Sequence, residues 1–509
     1  MKFANESIAP NDSAVVMPPD SESLFRSKTR TEIIDTYDEL IFFIGNNGSD
    51  ITEKQPFIVF EDKIFETCDS LRDLVLIGAG EKISELDTLA LRKFYKNKYL
   101  IENNIHLRSH RSHEKVIITS KGELKIERHV LRPSSSVDLE LLQNLTGKKT
   151  VAPLDNYLRI NDLPFKITPK AMLKIAYCCA SELSYNAAII RLREDNNIDI
   201  SGETARNVTD YIGNLVHLND VDYAENVFLN RSNITFQRNK DNVLYIMPDG
   251  SMIHTRDKDE QGHRWHENKL GVVFSSDNMR LKGVSKGIKN YEIMKKEYTN
   301  FFGSVPLFQK MLFATAINNG YGNYLKTVII SDGASWISNM KDLLFPDAIH
   351  ILDFWHATEY IYELAKIYFK NESEKYKPWV DNIKEQLLDS NHEVIINEIM
   401  DKESKLSVKR KIYTNKDGFK YNVGKCSKYL ISNKNRMDYK KYKELGLYIG
   451  SGHIESGNKS VAQERLKRPG MMWNIKSAQN LLSLRAKLKS DLWYKVELIV
   501  MMHFKMIKY

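Results

Sequence analysis

Cysteine is scarce: four residues in 509 (Cys68, Cys178, Cys179 and Cys426), with no CxxC pair, exclude a disulfide framework and point to buried, reduced thiols in the cytoplasm. Long apolar runs are missing too. No stretch approaches the roughly eighteen uninterrupted apolar residues of a membrane span. The opening MKFANESIAPNDSAVVMPPDSESLF has no apolar core behind a basic head, so neither insertion nor secretion is expected. A strong excess of one charge is also absent, since the formal net charge is only +8. It is unevenly spread, however: residues 401–509 hold 25 Lys and Arg against 9 Asp and Glu, leaving residues 1–400 at −8. A basic C-terminal part suits a polyanion, because lysine and arginine displace counterions from phosphates.

With 42% apolar and 28% charged residues and a length beyond one hydrophobic core, the chain is expected to be soluble and to form two to four domains. Residues 1–30 are polar and rich in Ser, Asn and Pro, as a flexible tail is. From 31 to 165, helical runs (TEIIDTYDELIFFI) alternate with β-like segments (EKVIITSKGELKIERHVL), which predicts a separate accessory domain. Its His106, His110, His113 and His129 have no cysteine or carboxylate at ligand spacing and are assigned to solvated or DNA-facing positions. In 166–215, helical patterns at 184–194 and 202–212 flank the turn DNNIDIS, with Ser201 as N-cap of the second. Such a pair suits a helix-turn-helix whose second helix lays Glu203, Arg206, Asn207 and Asp210 along a DNA groove.

The chemistry is concentrated further on. NVLYIMPDGSMIHT predicts a strand over 243–246 that breaks at Pro248 and delivers Asp249 to its end, and NKLGVVFSS predicts a second strand. SVPLFQKMLFATAINNG reads as a helix between Ser304 and Gly320, and KTVIISDGASWI repeats the strand-then-Asp-Gly pattern at Asp332. One Asp-Gly pair is ordinarily a turn, but two at the ends of apolar strands put carboxylates where α/β sheets gather reactive groups. In LYIGSGHIESGNKSVAQERLKRPGMMW, glycines precede a helix whose Glu455, Asn458, Lys459 and Ala462 share one face, with Arg465, Lys467 and Arg468 at its C-terminal end. Asp249 as a shared ligand, with Asp332 and Glu455 holding one ion each, would suit two magnesium ions and phosphodiester displacement.

Four motifs carry a resemblance: MPDGSMIHTR with WHENKLGVVF, VIISDGASWI, ILDFWHATEYI, and YIGSGHIESGNKSVAQERLKRPGMMW with LLSLRAKL. Together, over about half of the chain, they are similar to DDE transposases of the ISKra-type insertion-sequence family, relatives of the Mutator-like superfamily. The resemblance implies an RNase H-like α/β catalytic core with a mixed five-stranded sheet and flanking helices, formed by 235–369 and 441–490. A mostly helical insertion would occupy 370–440 and a terminal helix 491–509. It implies the catalytic and metal-binding triad Asp249, Asp332 and Glu455, two Mg2+ (or Mn2+) ions, and cleavage of transposon ends followed by strand transfer. Double-stranded DNA, as terminal inverted repeats and target, is the implied partner, bound near the nucleoid by a homodimer or higher oligomer. Asp353 and His356 in DFWH are similar to the Asp-x-x-His signature of Mutator-like enzymes, either orienting a metal's surroundings or satisfying each other in the core. Arg206, Asn207, Asn458, Lys459, Arg465, Lys467, Arg468 and Trp473 are the expected DNA contacts, Trp473 stacking on a base or packing inward. The same triad would also serve an RNase H-like nuclease or resolvase, and a domesticated derivative would keep DNA binding without transposition.

Overall fold

The computed structural model describes residues 28–45, 56–285, 288–369, 372–406, 412–414 and 420–505. Most of the expected 1–30 tail, and much of the lysine-rich SKLSVKRKIYTNK stretch of the insertion, lie outside them. The chain divides into two compact units, one of residues 1–172 with 191–200 and one of residues 173–190 with 201–509. The 166–215 segment is therefore split between the units. Among the described residues, no helix is long and apolar enough to cross a membrane.

The first unit is built on an antiparallel hairpin of Leu107–Thr119 and Gly122–Pro133, preceded by the helices Pro56–Glu85 and Leu89–Asn103. Ile117 and Ile126 of the hairpin pack in one cluster with Leu154, and Leu131 packs in another with Leu142. Asp155 is buried there and takes both Lys115 at 2.7 Å and Arg128 at 2.8 Å. The histidines are dispersed over this unit. His129 Nδ1 lies 3.1 Å from Asp87, His106 lies 3.6 Å from Asp138, and the rings of His110 and His113 are 6.4 Å apart.

The second unit holds a five-stranded mixed sheet. Its strands are β1 (Lys240–His254), β2 (Trp265–Ser275), β3 (Glu297–Phe302), β4 (Tyr324–Ser331) and β5 (Ile349–Leu352), in the order β3-β2-β1-β4-β5. β1, β2 and β3 form an antiparallel meander, whereas β4 runs parallel to β1 and β5 parallel to β4. Four helices position the sheet: α1 (Gly202–Leu229), α2 (Val305–Asn318), α3 (Phe354–Tyr368) and α4 (Ile475–Lys489). Leu244, Ile246, Val273 and Ile329 pack on Phe308 and Leu312 of α2, each removed from water at a gain of about 1.5–3 kcal/mol. At the edge, α4 donates no apolar cover alone: Gln479 Oε1 accepts from Phe302 N and Ser490 Oγ from Tyr298 N, both at 2.8 Å. Those bonds occupy amides that an open edge strand would leave free.

Several local expectations change. β1 does not end at Pro248 but runs on to His254, with Pro248 opposite Gly271 and Asp249 opposite Leu270 of β2. The parallel ladder with β4 stops at Ile246 and Ile329, so beyond that point one side of β1 has no neighbour needing a proline N–H. The helix that begins at Gly202 extends to Leu229 rather than 212, because Val216 and Ala224 prolong its buried stripe and no breaker intervenes. Cys178, Cys179 and Cys426 are buried as expected, whereas Cys68 is exposed on its helix. The 370–440 insertion is mostly helical (Ser373–Leu388, His392–Ser404, Val423–Asn433), with a small hairpin of Ile412–Thr414 and Lys420–Asn422, and Trp493–His503 is the terminal helix.

Candidate active site

Asp249 sits on the central strand where its parallel partner has ended, half-buried in a cleft of about 540 Å3. Gly250, Ser251, Glu455, Asn458, Lys459 and Gln463 share that cleft. Asp249 Oδ1 accepts from the Gly250 amide at 2.7 Å, and Oδ2 accepts from Asn458 Nδ2 at 2.6 Å. Burial raises the proton affinity of the Asp249 carboxyl, and the Asp332 carboxylate pushes the same way, against the two hydrogen bonds and His356. The charges of Asp249 and Asp332 are thus felt by one another.

Asp332 follows β4 directly. Its Oδ1 accepts from Ala334 N at 3.0 Å and its carbonyl accepts from the Tyr429 hydroxyl, whose ring stacks on Tyr360 at 4.1 Å. Gly333 has φ 85°, and a Cβ there would lie 2.8 Å from Leu352, so only glycine lets the chain turn here.

Glu455 is exposed on a helical stretch that changes character: Gly452–Gly457 is α-helical, Asn458–Gln463 is a π-helix, and Glu464–Leu466 is α-helical again. The wider turn redistributes the expected face. Asn458 turns inward to Asp249 at 2% exposure, Ala462 enters the core, and Gln463 takes its place along the cleft. Arg485 of α4 braces this turn from beneath, donating Nε to Val461 O at 2.6 Å, Nη1 to Ala180 O at 2.6 Å, and Nη2 to Ser460 O. Ahead of the stretch, a Cβ on Gly450 would lie 2.9 Å from the Trp355 ring, so the close packing there requires glycine.

Asp353 is a helix cap and a clasp at once. It caps α3, which starts at Phe354 rather than 357, through Trp355 N at 3.1 Å. It also accepts from Ser451 N at 3.2 Å and Ser451 Oγ at 2.6 Å, and Ser451 Oγ lies 3.3 Å from Glu455 Oε1. Its link to the site therefore runs through Ser451, while His356 is half-buried with Nδ1 3.8 Å from Glu359. Sequence reasoning missed Ser451, Tyr429 and Arg485. Only Asn458 carried a signal, as an amide one turn after the acid.

The expected DNA contacts separate by exposure. Arg206, Lys459, Lys467 and Arg468 are exposed and Asn207 is half-buried, accepting from Arg206 at 3.4 Å. Asp210, expected on the same groove-facing side, instead accepts from Ser477 Oγ at 2.7 Å. Asn458, Arg465 and Trp473 face the interior at 2%, 0% and 8% exposure, a correction to their assignment as DNA contacts. Among the described residues, no three His, Cys, Asp or Glu side chains gather into a group able to hold one metal ion. Neither comparison with known proteins returns a match: no family model fits the chain, and no curated protein is similar to it. What the site offers chemically is the half-buried Asp249 carboxylate, Asp332 in electrostatic range of it, and Glu455 on the facing helix. Carboxylate oxygens are the kind of ligand that hard divalent cations prefer.

Proposed function

We propose that this chain is a DDE-type DNA transposase with an RNase H-like core. The observation that carries the reading is the meeting of Asp249 and the Glu455 helix in one open cleft, tied by the 2.6 Å bond from Asn458, with Asp332 just past the end of the adjacent parallel strand. The mixed sheet, an antiparallel meander continued by two parallel strands and flanked by helices, supports the RNase H-like architecture. Asp249, Asp332 and Glu455 are the residues that would hold two divalent metal ions, in pairs of carboxylates rather than as one group of three. When bound, such ions stabilise the attacking and leaving oxygens of a phosphodiester displacement.

The protein's own contribution is placement. Asn458 fixes which way the Asp249 carboxylate points, Asp353 holds Ser451 and with it the start of the Glu455 helix, and Tyr429 fixes the backbone at Asp332. Exposed Lys459 supplies positive charge to a phosphate at the cleft. The test is Asp332→Asn with DNA carrying the element's own flanking ends, in magnesium and in a chelator. Cleavage and strand transfer should be lost while DNA binding persists; cleavage surviving the substitution rules out the role. Hydrolysis with no strand transfer by the native chain would identify a nuclease instead.

A further inference from the structure

The Glu455 stretch ends at Leu466, and the chain reaches α4 through residues 467–474. At the tip of this connection Met471 N donates to Arg468 O at 3.1 Å, and Gly470 adopts φ 76° behind Pro469. Proline then glycine with positive φ is the sequence a type II turn demands, so the tip is stiff.

Its base is held from both ends. Arg465 is fully buried, and none of its three guanidinium nitrogens has a hydrogen-bond partner. The guanidinium instead lies 4.8 Å from the ring centroid of Tyr185 and 5.0 Å from that of Trp473, on the opposite end of the connection. Trp473 is anchored in turn. It pairs with Thr255 in a parallel bridge, and its carbonyl accepts from Arg256 N at 2.7 Å. Ile475 N then donates to Asp257 Oδ2 at 2.7 Å. Burying a guanidinium without hydrogen bonds is unfavourable, and contact with aromatic faces offsets only part of that. What the arrangement gains is a fixed position for the residues it closes off.

Those residues carry free charge. Lys467 and Arg468 are exposed and have no acidic partner among the described residues. They stand one turn beyond Gln463, which lines the cleft with Asp249 and Glu455, since Lys467 N donates to Gln463 O at 2.9 Å. Unpaired cations on a stiff turn beside a phosphodiester cleft suit a polyanionic backbone, with little conformational freedom to lose on contact. We infer that the 467–472 turn grips the phosphate backbone of the DNA strand leading into the cleft. Lys467 and Arg468 make the contacts, and Arg465 and Trp473 are positioning residues that hold the turn. The inference rests on DNA being the substrate.

The experiment uses the full chain and a labelled duplex of arbitrary sequence, with affinity followed against salt concentration. Each phosphate contact contributes about 0.9 to the slope of log affinity against log salt, so Lys467→Ala with Arg468→Ala should lower the slope by about 1.8. Arg465→Met should weaken binding and speed trypsin cleavage after Lys467 at an unchanged unfolding temperature, because the turn is no longer clamped. If the native chain binds and cleaves DNA but the double variant keeps the full slope, the grip is wrong and the transposase reading stands. If Arg465→Met alters neither affinity nor trypsin cleavage, the clamp is wrong. A native chain that binds no DNA overturns both readings together.

Discussion

Asn458→Ala isolates the contact that ties the Glu455 helix to the central strand. Asn458 is 2% exposed and donates to Asp249 at 2.6 Å, and the carboxylate's other bond comes only from its neighbour Gly250. A hydrogen bond to a charged acceptor contributes about 1.5–3 kcal/mol. Burial and Asp332 already raise the proton affinity of Asp249, and the Asn458 bond is one of the interactions opposing that rise. Removing it therefore raises the affinity further. Asp249 works ionised, so a tighter-held proton moves the acid limb of activity to higher pH. At about 1.4 kcal/mol per pH unit, the limb should move up by about one to two pH units. The assay is the initial rate of magnesium-dependent cleavage across the acid range, alongside thermal unfolding and DNA binding. An acid limb that stays put in a folded, DNA-binding variant would refute the reasoning.

Two further outcomes follow from packing and burial. His350, beside Ser331 Oγ at 2.9 Å, is lowered by burial from 6.5 to about 4. The unfolded imidazole takes up a proton on descent through pH 6.5 and the folded one only near 4, so stability is complete above that window and falls within it, by about 3 kcal/mol in total. His350→Gln should flatten the decline in urea-unfolding free energy over that window; an equally steep decline means His350 does not cause it. At the crossing of α1 and α4, a Cβ on Gly213 would lie 2.4 Å from Asn480 O, a backbone atom with little room to yield. Gly213→Ala should cost about 1–3 kcal/mol through overpacking and lower the unfolding temperature by several degrees, and an unchanged temperature would mean the helices do not approach so closely.

Strands and helices with strong periodicity were legible from the residues: the apolar runs ending at Asp249 and Asp332, the helix after Ser304 and the cap at Ser201 all describe real elements. Reading failed where a neighbouring segment decides the outcome. Pro248 lies inside a strand because β4 withdraws, which no window around residue 248 reveals. The face shared by Glu455, Asn458, Lys459 and Ala462 assumed a regular α-helix, but the π-turn, braced by an arginine more than twenty residues away in sequence, rotates Asn458 and Ala462 inward. Arg465 looked like a surface cation because charge ordinarily seeks water, yet two aromatic rings from distant segments enclose it. Charge pattern alone cannot tell a cation that meets DNA from one that holds the chain in shape.

The Asp353 to Ser451 clasp, reinforced by Phe354 N donating to Ile449 O at 2.9 Å, closes the chain on itself at the neck of the 370–440 insertion. Beyond that neck, the parts of the insertion other than the helix that returns Tyr429 to Asp332 can lengthen, shorten or change composition while the strand end bearing Asp332 and the helix bearing Glu455 keep their spacing. New sequence can thereby be tried in the insertion where it leaves Tyr429, and with it the backbone at Asp332, in place.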